Sequence, residues 1–162
     1  MTVAVVIGNP NPGGRTTTVG EAVGNAIAAA RGGDEVVTIE LATIASHLFE
    51  WGNDDVKATT ERVAAADVIV TACPTYKATY TGLLKAFLDQ YGTDGLAGCK
   101  AVPVMVGAAP NHALAPEVHL RPLLVELGAS VPSRGLYMLD SAMETLDDVV
   151  STWAETAGPL LA

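Results

Sequence analysis

Residues 9–18 read Asn-Pro-Asn-Pro-Gly-Gly-Arg-Thr-Thr-Thr, a polar loop with two glycines, one cation and three consecutive hydroxyls. An apolar run, Val3-Ala-Val-Val-Ile7, and Gly8 precede it. Val19, Ala22, Val23, Ala26, Ile27 and Ala30 follow at the i, i+3, i+4 spacing of a helix. A loop between a buried strand and a helix start meets the unpaired N–H groups of the first turn and the positive end of the helix dipole. With the Arg15 guanidinium and the hydroxyls of Thr16, Thr17 and Thr18, these donors would form a cradle for phosphate. The plainer reading is a surface turn whose threonines cap the helix, which needs one hydroxyl and no arginine.

Two further loops carry a different chemistry. Pro74-Thr-Tyr-Lys-Ala-Thr-Tyr80 follows the apolar run 67–73, and Gly107-Ala-Ala-Pro-Asn-His112 follows the apolar run 100–107. Pro74 fixes the exit from its strand, Tyr76 offers a flat face, and the backbone after it can donate to ring heteroatoms. The third loop is nearly free of side chains, so a flat ring could approach its backbone closely. Alone, Tyr76 and Tyr80 read as half-buried loop aromatics. Together the three loops suit a phosphate joined to a planar heterocycle.

The elements that must position these loops alternate. Strands are expected at 2–8, 35–40, 67–73, 100–107 and 129–139, and helices at 19–30, 55–66, 81–91, 112–127 and 144–161, with Pro122 bending the fourth. Pro103 is an awkward residue for a strand interior. Strands separated by helix-length segments pair in parallel through right-handed crossovers, giving an α/β domain with both sheet faces covered. Ligands of such sheets bind beyond the carboxyl ends of the strands, where the strand order reverses. The loops after the first, third and fourth strands are therefore the ones that should converge.

Composition bounds the setting. The chain has 162 residues, 49 % of them hydrophobic, which fits one domain spanning 1–162. Its net charge is −9, and its nine Lys and Arg residues are scattered singly, so nucleic acid and anionic membrane are excluded as partners. The absence of a membrane-length apolar run or charged leader gives a soluble cytoplasmic protein as the expectation. Cys73 and Cys99 edge apolar runs and read as reduced hydrophobes. Residues 8–18 lack the Gly-Lys-Ser/Thr of a nucleotide-hydrolysing loop and the glycines of a dinucleotide turn, although Glu40 ends the second strand where a ribose ligand would lie. No carboxylate precedes Glu21 to serve as a phosphoacceptor, no nucleophile elbow is present, and His112 with His119 falls short of a metal site.

Gly8-Asn-Pro with Gly14-Arg-Thr-Thr-Thr18, then Pro74-Thr-Tyr-Lys-Ala-Thr-Tyr-Thr-Gly-Leu-Leu-Lys85, then Gly107 to His112 resemble the NAD(P)H-dependent FMN reductases, particularly those that serve alkanesulfonate monooxygenases. The resemblance covers nearly the whole chain and implies a flavodoxin-like three-layer sandwich whose five-stranded parallel sheet has order 2-1-3-4-5. It implies FMN as cofactor, NADPH or NADH as co-substrate, and a small-molecule electron acceptor, with a monooxygenase as a candidate partner. Carried over by position, Asn9, Arg15, Thr16, Thr17 and Thr18 would hold the FMN phosphate. Pro74, Thr75, Tyr76 and Lys77 would line the isoalloxazine, with Gly107, Ala108 and Ala109 at its pyrimidine edge. No side chain is assigned as a catalytic acid or base, because hydride transfer between two rings needs positioning instead; Lys77 would stabilise negative charge on the reduced ring. A homodimer or homotetramer is implied, with Leu120, Leu123, Leu124 and Leu127 as a fitting interface. The chain departs from the resemblance at Ala108, where a second glycine is usual. It departs again at Val118, where sulfonate-linked relatives can carry Tyr within a helical insertion tied to a departing flavin; the expectation here is FMN that stays bound. A flavodoxin-type electron carrier without nicotinamide activity is the alternative, and a flavin-free interaction domain is the third reading.

Overall fold

The computed structural model describes Met1–Ala162. The strands are β1 (Thr2–Ile7), β2 (Glu35–Glu40), β3 (Val68–Pro74), β4 (Lys100–Gly107) and β5 (Leu136–Leu139). The helices are α1 (Arg15–Ala30), α2 (Asp54–Ala64), α3 (Gly82–Leu88), α4 (Arg121–Glu126) and α5 (Leu146–Leu161). All strands pair in parallel in the order β2-β1-β3-β4-β5, the expected flavodoxin-like sheet. The order reverses between β1 and β3, so the loops after these strands face each other across a crevice. Val19, Val23 and Ile27 of α1 pack with Val150, Trp153 and Leu161 of α5 on one face of the sheet. Val56 of α2, Phe87 of α3 and Leu124 of α4 pack on the other.

Small residues set how tightly these layers meet. A Cβ at Gly20 would stand 2.8 Å from Ile7 Cδ1, and one at Gly24 would stand 2.5 Å from Val5 Cγ2, so α1 lies closer to β1 than any side chain there would permit. A Cβ at Gly8 would meet Leu84 Cβ at 2.6 Å, which brings the end of β1 against α3. Thr81 ties the same corner: its buried hydroxyl donates to the Gly8 carbonyl at 2.6 Å and accepts from Leu84 N at 3.1 Å, capping α3.

The fifth strand is shorter than the expected 129–139. Lys100 N donates toward β3, to Asp67 O, and Ala101 N donates toward the opposite side, to Ser130 O at 2.7 Å. Odd-numbered N–H groups of β4 therefore face β5, and Pro103 stands at a position where it has none to give. The chain leaves the sheet after the Lys100–Ser130 bridge and rejoins it at Leu136, opposite Val104. The intervening detour is held by one ion pair. Arg121 donates to Val131 O and to Ser133 O, both at 2.6 Å, and grips Glu117 with two nitrogens, while Glu117 Oε1 accepts from Gly135 N at 2.6 Å.

The helical stretch expected over 112–127, interrupted by Pro116 and kinked at Pro122, is three separate pieces. Pro110–His112 is a 3-10 turn, Pro116–Leu120 a π-helical turn, and only Arg121–Glu126 is α-helical. Pro122 sits in the first turn of α4, where its missing N–H leaves no bond unmade, and the widened turn before it spares the Val118 carbonyl a clash with the proline ring. The leucine stripe is not a surface. Leu120 and Leu124 are fully buried, Leu127 is 8 % exposed, and Leu123 packs half-buried against the same core. These leucines are therefore unavailable as the interface expected of them; the exposed apolar side chains of this segment are Leu114, Val118 and Val125.

The second loop folds back on itself. Tyr76 N donates to Thr79 O at 2.9 Å and Thr79 N to Tyr76 O at 3.2 Å, closing a two-residue turn whose centre, Lys77 at φ 52° and Ala78 at φ 70°, is left-handed. Such φ values strain L-residues, so Ala78→Gly is expected to stabilise the fold by roughly 0.5–1 kcal/mol in urea unfolding.

Glu117 supplies a pH-dependent contribution. The Arg121 guanidinium is the main cause holding its carboxyl below the ordinary 4.5; burial opposes this, and the Gly135 N–H adds to the lowering. A depressed folded value means stability present above 4.5 and lost as pH falls through the lowered value. Glu117→Gln is expected to lose roughly 1–2 kcal/mol at neutral pH. Denaturant curves of the two proteins should converge in acid.

Candidate functional site

A cleft of about 290 Å³ opens at the carboxyl ends of the central strands. The first loop contributes Asn9, Asn11, Arg15 and Thr16; the second contributes Pro74, Thr75 and Tyr76; the end of β4 and the loop after it contribute Val106, Gly107 and Ala108. Asp140, just beyond β5, completes the lining. Three loops expected to converge do meet here. A larger hollow of about 590 Å³ lies between α1 and α5 and includes only Thr18 of the first loop.

The first loop is shaped from within by Asn9, whose Oδ1 accepts from Asn11 N at 3.0 Å and whose Nδ2 donates to Thr16 Oγ1 at 3.3 Å. Gly13 turns the chain at φ 69°, and Gly14 begins α1 with no side-chain cap. The capping role open to the threonines is thus not taken. The N–H groups of Arg15, Thr16 and Thr17 donate to nothing in the protein. Arg15 is exposed and forms no ion pair. The hydroxyls diverge: Thr16 lines the cleft, Thr17 donates to Glu40 Oε1 at 2.7 Å, and Thr18 leans back to Gly14 O at 3.4 Å.

In the second loop Thr75 N continues the β3 ladder by donating to Val106 O at 2.7 Å, which leaves Tyr76 projecting, 46 % exposed, at the rim. The Thr75 hydroxyl is buried against Gly107, on the side where the Tyr137 hydroxyl also lies, and makes no hydrogen bond of ordinary geometry. Lys77, at the exposed turn tip, is not among the lining residues.

Gly107 has a reason other than ring approach. The Tyr137 hydroxyl fills the space a Cβ would occupy there and donates to Ala109 O at 2.7 Å, fastening the third loop to β5. Burial is the main cause raising the Tyr137 pKa, and the nearby Asp140 carboxylate adds to it; Thr75 beside it and the Ala109 bond oppose. Tyr137 therefore remains a protonated donor at neutral pH. Ala108 lies in the lining, whereas Ala109 serves through its carbonyl. Burial pushes the Cys73 thiol up to about 12, so no thiolate forms beneath the cleft.

Sequence reasoning passed over Asn11, Asp140, Tyr137 and the loop-holding role of Glu40. Asn11 was in plain view, two residues after an Asn that could turn onto its N–H. Tyr137 lies in β5 and Asp140 just beyond it, outside the three loops expected to converge. Glu40 is not free for a ribose, since its Oε1 accepts from both Gly13 N and Thr17.

The arrangement can accept an anion at the start of α1 and a flat group between Tyr76 and the Gly107 segment. The sequence profile described as NADPH-dependent FMN reductase matches residues 1–144. An Escherichia coli K12 protein named FMN reductase (NADPH) is 36 % identical over 85 residues, covering 52 % of this chain and 44 % of that protein. A Pseudomonas putida protein named NADH-dependent FMN reductase SfnF is 28 % identical over 140 residues, covering 83 % of this chain and 75 % of its own length. This chain thus spans less than half of the first relative. Among solved structures, the apo form of the NADH:FMN oxidoreductase EMOB superposes with TM-score 0.81 at 27 % identity, covering 95 % of this chain and 88 % of that one. A Streptococcus pneumoniae TIGR4 flavodoxin, at TM-score 0.67 and 17 % identity over 98 % of this chain and 99 % of its own, shares the fold. The profile spans most of the sequence, and the chain belongs to the NADPH-dependent FMN reductase family.

Proposed function

We propose that this protein binds FMN in the cleft and reduces it with NADPH or NADH, passing the electrons to a small acceptor such as a second flavin or a quinone. The start of α1 carries this reading: three N–H groups without partners, no side-chain cap, and an unpaired Arg15, in a chain whose net charge is −9. So many donors left open beside one cation fit a phosphate monoester. The tyrosine rim and the side-chain-poor Gly107–Ala108 segment fit a flat ring.

When bound, FMN supplies a two-electron acceptor for the hydride of a nicotinamide. The chain's own residues would then position and exclude. Asn9 fixes the loop that holds the phosphate, Arg15 neutralises it, and Tyr76 covers the ring at the rim. Tyr137 keeps the Gly107–Ala109 backbone in place through its donated proton. Lys77 has no role in the ring pocket in this reading, because the turn carries it to the tip.

Retention of FMN between half-reactions rests on Val118 standing where some relatives carry Tyr, although the π-helical turn itself is present. A homodimer or homotetramer also belongs to this reading, through the exposed Leu114, Val118 and Val125 instead of the buried leucines. A cytoplasmic setting accords with a structure in which no helix is long and apolar enough to cross a membrane.

Arg15→Ala is expected to weaken FMN binding by roughly 1.5–3 kcal/mol and leave riboflavin binding unchanged, measured by flavin fluorescence titration. Equal affinity of the wild type for the two flavins would sink the phosphate assignment.

Stopped-flow mixing of the FMN-loaded protein with NADH or NADPH should bleach the flavin absorbance on a catalytic timescale, and a varied quinone should then give parallel-line kinetics. A flavin that stays oxidised with both nucleotides yet accepts electrons from dithionite would point to the electron carrier.

A further inference from the structure

Glu40 ends β2 in register with Ile7 of β1, and its carboxylate reaches behind the first loop. Oε1 accepts from Gly13 N at 3.1 Å and from the Thr17 hydroxyl at 2.7 Å, while Oε2 is buried with no partner. Asn9 grips the loop from the cleft side. Glu40 grips it from the other, where it borders a separate hollow with Thr38 and Arg62. Between these two grips lie a left-handed Gly13 and an uncapped Gly14, which have no side chains to hold the turn themselves.

A carboxylate is a costly way to make those two bonds. A glutamine would accept both through the same atom without a charge, and one oxygen here is desolvated with no bond in return. The charge also sits on the residues next to the open donors: Thr17 adjoins Thr16, and Gly13 adjoins the Gly14 that begins α1. An anion docked on those donors would feel both effects. The bonds keep its cradle in shape, and the charge repels it.

We infer that Glu40 is a positioning residue that holds the first loop in its anion-accepting shape from behind, and that its negative charge limits how tightly the loop retains a phosphate-bearing flavin. This rests on the phosphate reading given under Proposed function. Substitution separates the two effects, because Glu40→Gln keeps the acceptor and removes the charge, whereas Glu40→Ala removes both.

The experiment is fluorescence titration of the full chain and the two variants with FMN and with riboflavin, at low and high salt, alongside thermal melts. Glu40→Gln should raise the preference for FMN over riboflavin roughly three- to fivefold at low salt, and the gain should shrink at high salt. Glu40→Ala should lower FMN affinity about tenfold with riboflavin little changed, the scale of one lost charged hydrogen bond. If the alanine variant fails to fold, the glutamine variant decides. A glutamine variant that binds FMN no more tightly than the wild type overturns the proposal, as does a change in melting temperature with both flavins affected equally. Equal wild-type affinity for FMN and riboflavin overturns instead the phosphate reading beneath it.

Discussion

The architecture of the cleft depends on how closely α1 lies against β1. Gly20 and Gly24 face Ile7 and Val5 at distances that exclude even a methyl group, so the helix axis is drawn down onto the sheet. That approach places the first turn of α1 beside the carboxyl end of β1 and fixes the loop between them to a short path that turns at the left-handed Gly13. A larger residue at either helical glycine would lift α1, and the N–H groups of Arg15 to Thr17 would move with it. Packing in the apolar layer thereby sets the geometry of the polar site.

The loop is then held by opposed polar contacts, with no cap of its own. Asn9 and Glu40 take the N–H groups of Asn11 and Gly13, while those of Arg15, Thr16 and Thr17 stay open. The first N–H groups of any α-helix lack partners within it, and here no side chain of the protein caps them. Tyr137 plays the matching part on the opposite wall, where its hydroxyl substitutes for a side chain at Gly107 and secures the Ala109 carbonyl.

Much of this was legible in the sequence, because parallel pairing follows from strand–helix alternation, the strand order from the family resemblance, and the three loops are marked by Gly, Pro and hydroxyl residues. The parts that were not legible depend on directions and distant partners. Thr16, Thr17 and Thr18 read alike in the sequence, but consecutive helical residues point about 100° apart, so only the first faces the cleft. Gly107 reads as an opening for a ring until Tyr137, distant in sequence, is seen to occupy that space. The leucine stripe at 120–127 is amphipathic whether it meets its own core or another chain, and only the fold shows that the core takes it. Lys77 looked like a cation for the ring pocket because nothing in the residues Lys-Ala announces a left-handed turn.

Pro103 has an effect beyond its own strand. By withholding an N–H on the side facing β5, it leaves the outer edge of the sheet with four paired residues, Leu136–Leu139, followed at once by the acidic Asp140. The opposite edge, β2, begins and ends with glutamate. Short or charged borders are poor templates for recruiting another chain's backbone. Copies of this protein crowded together are therefore discouraged from fusing their sheets into a continuous ribbon, and contact between them is left to the helical faces and the loops.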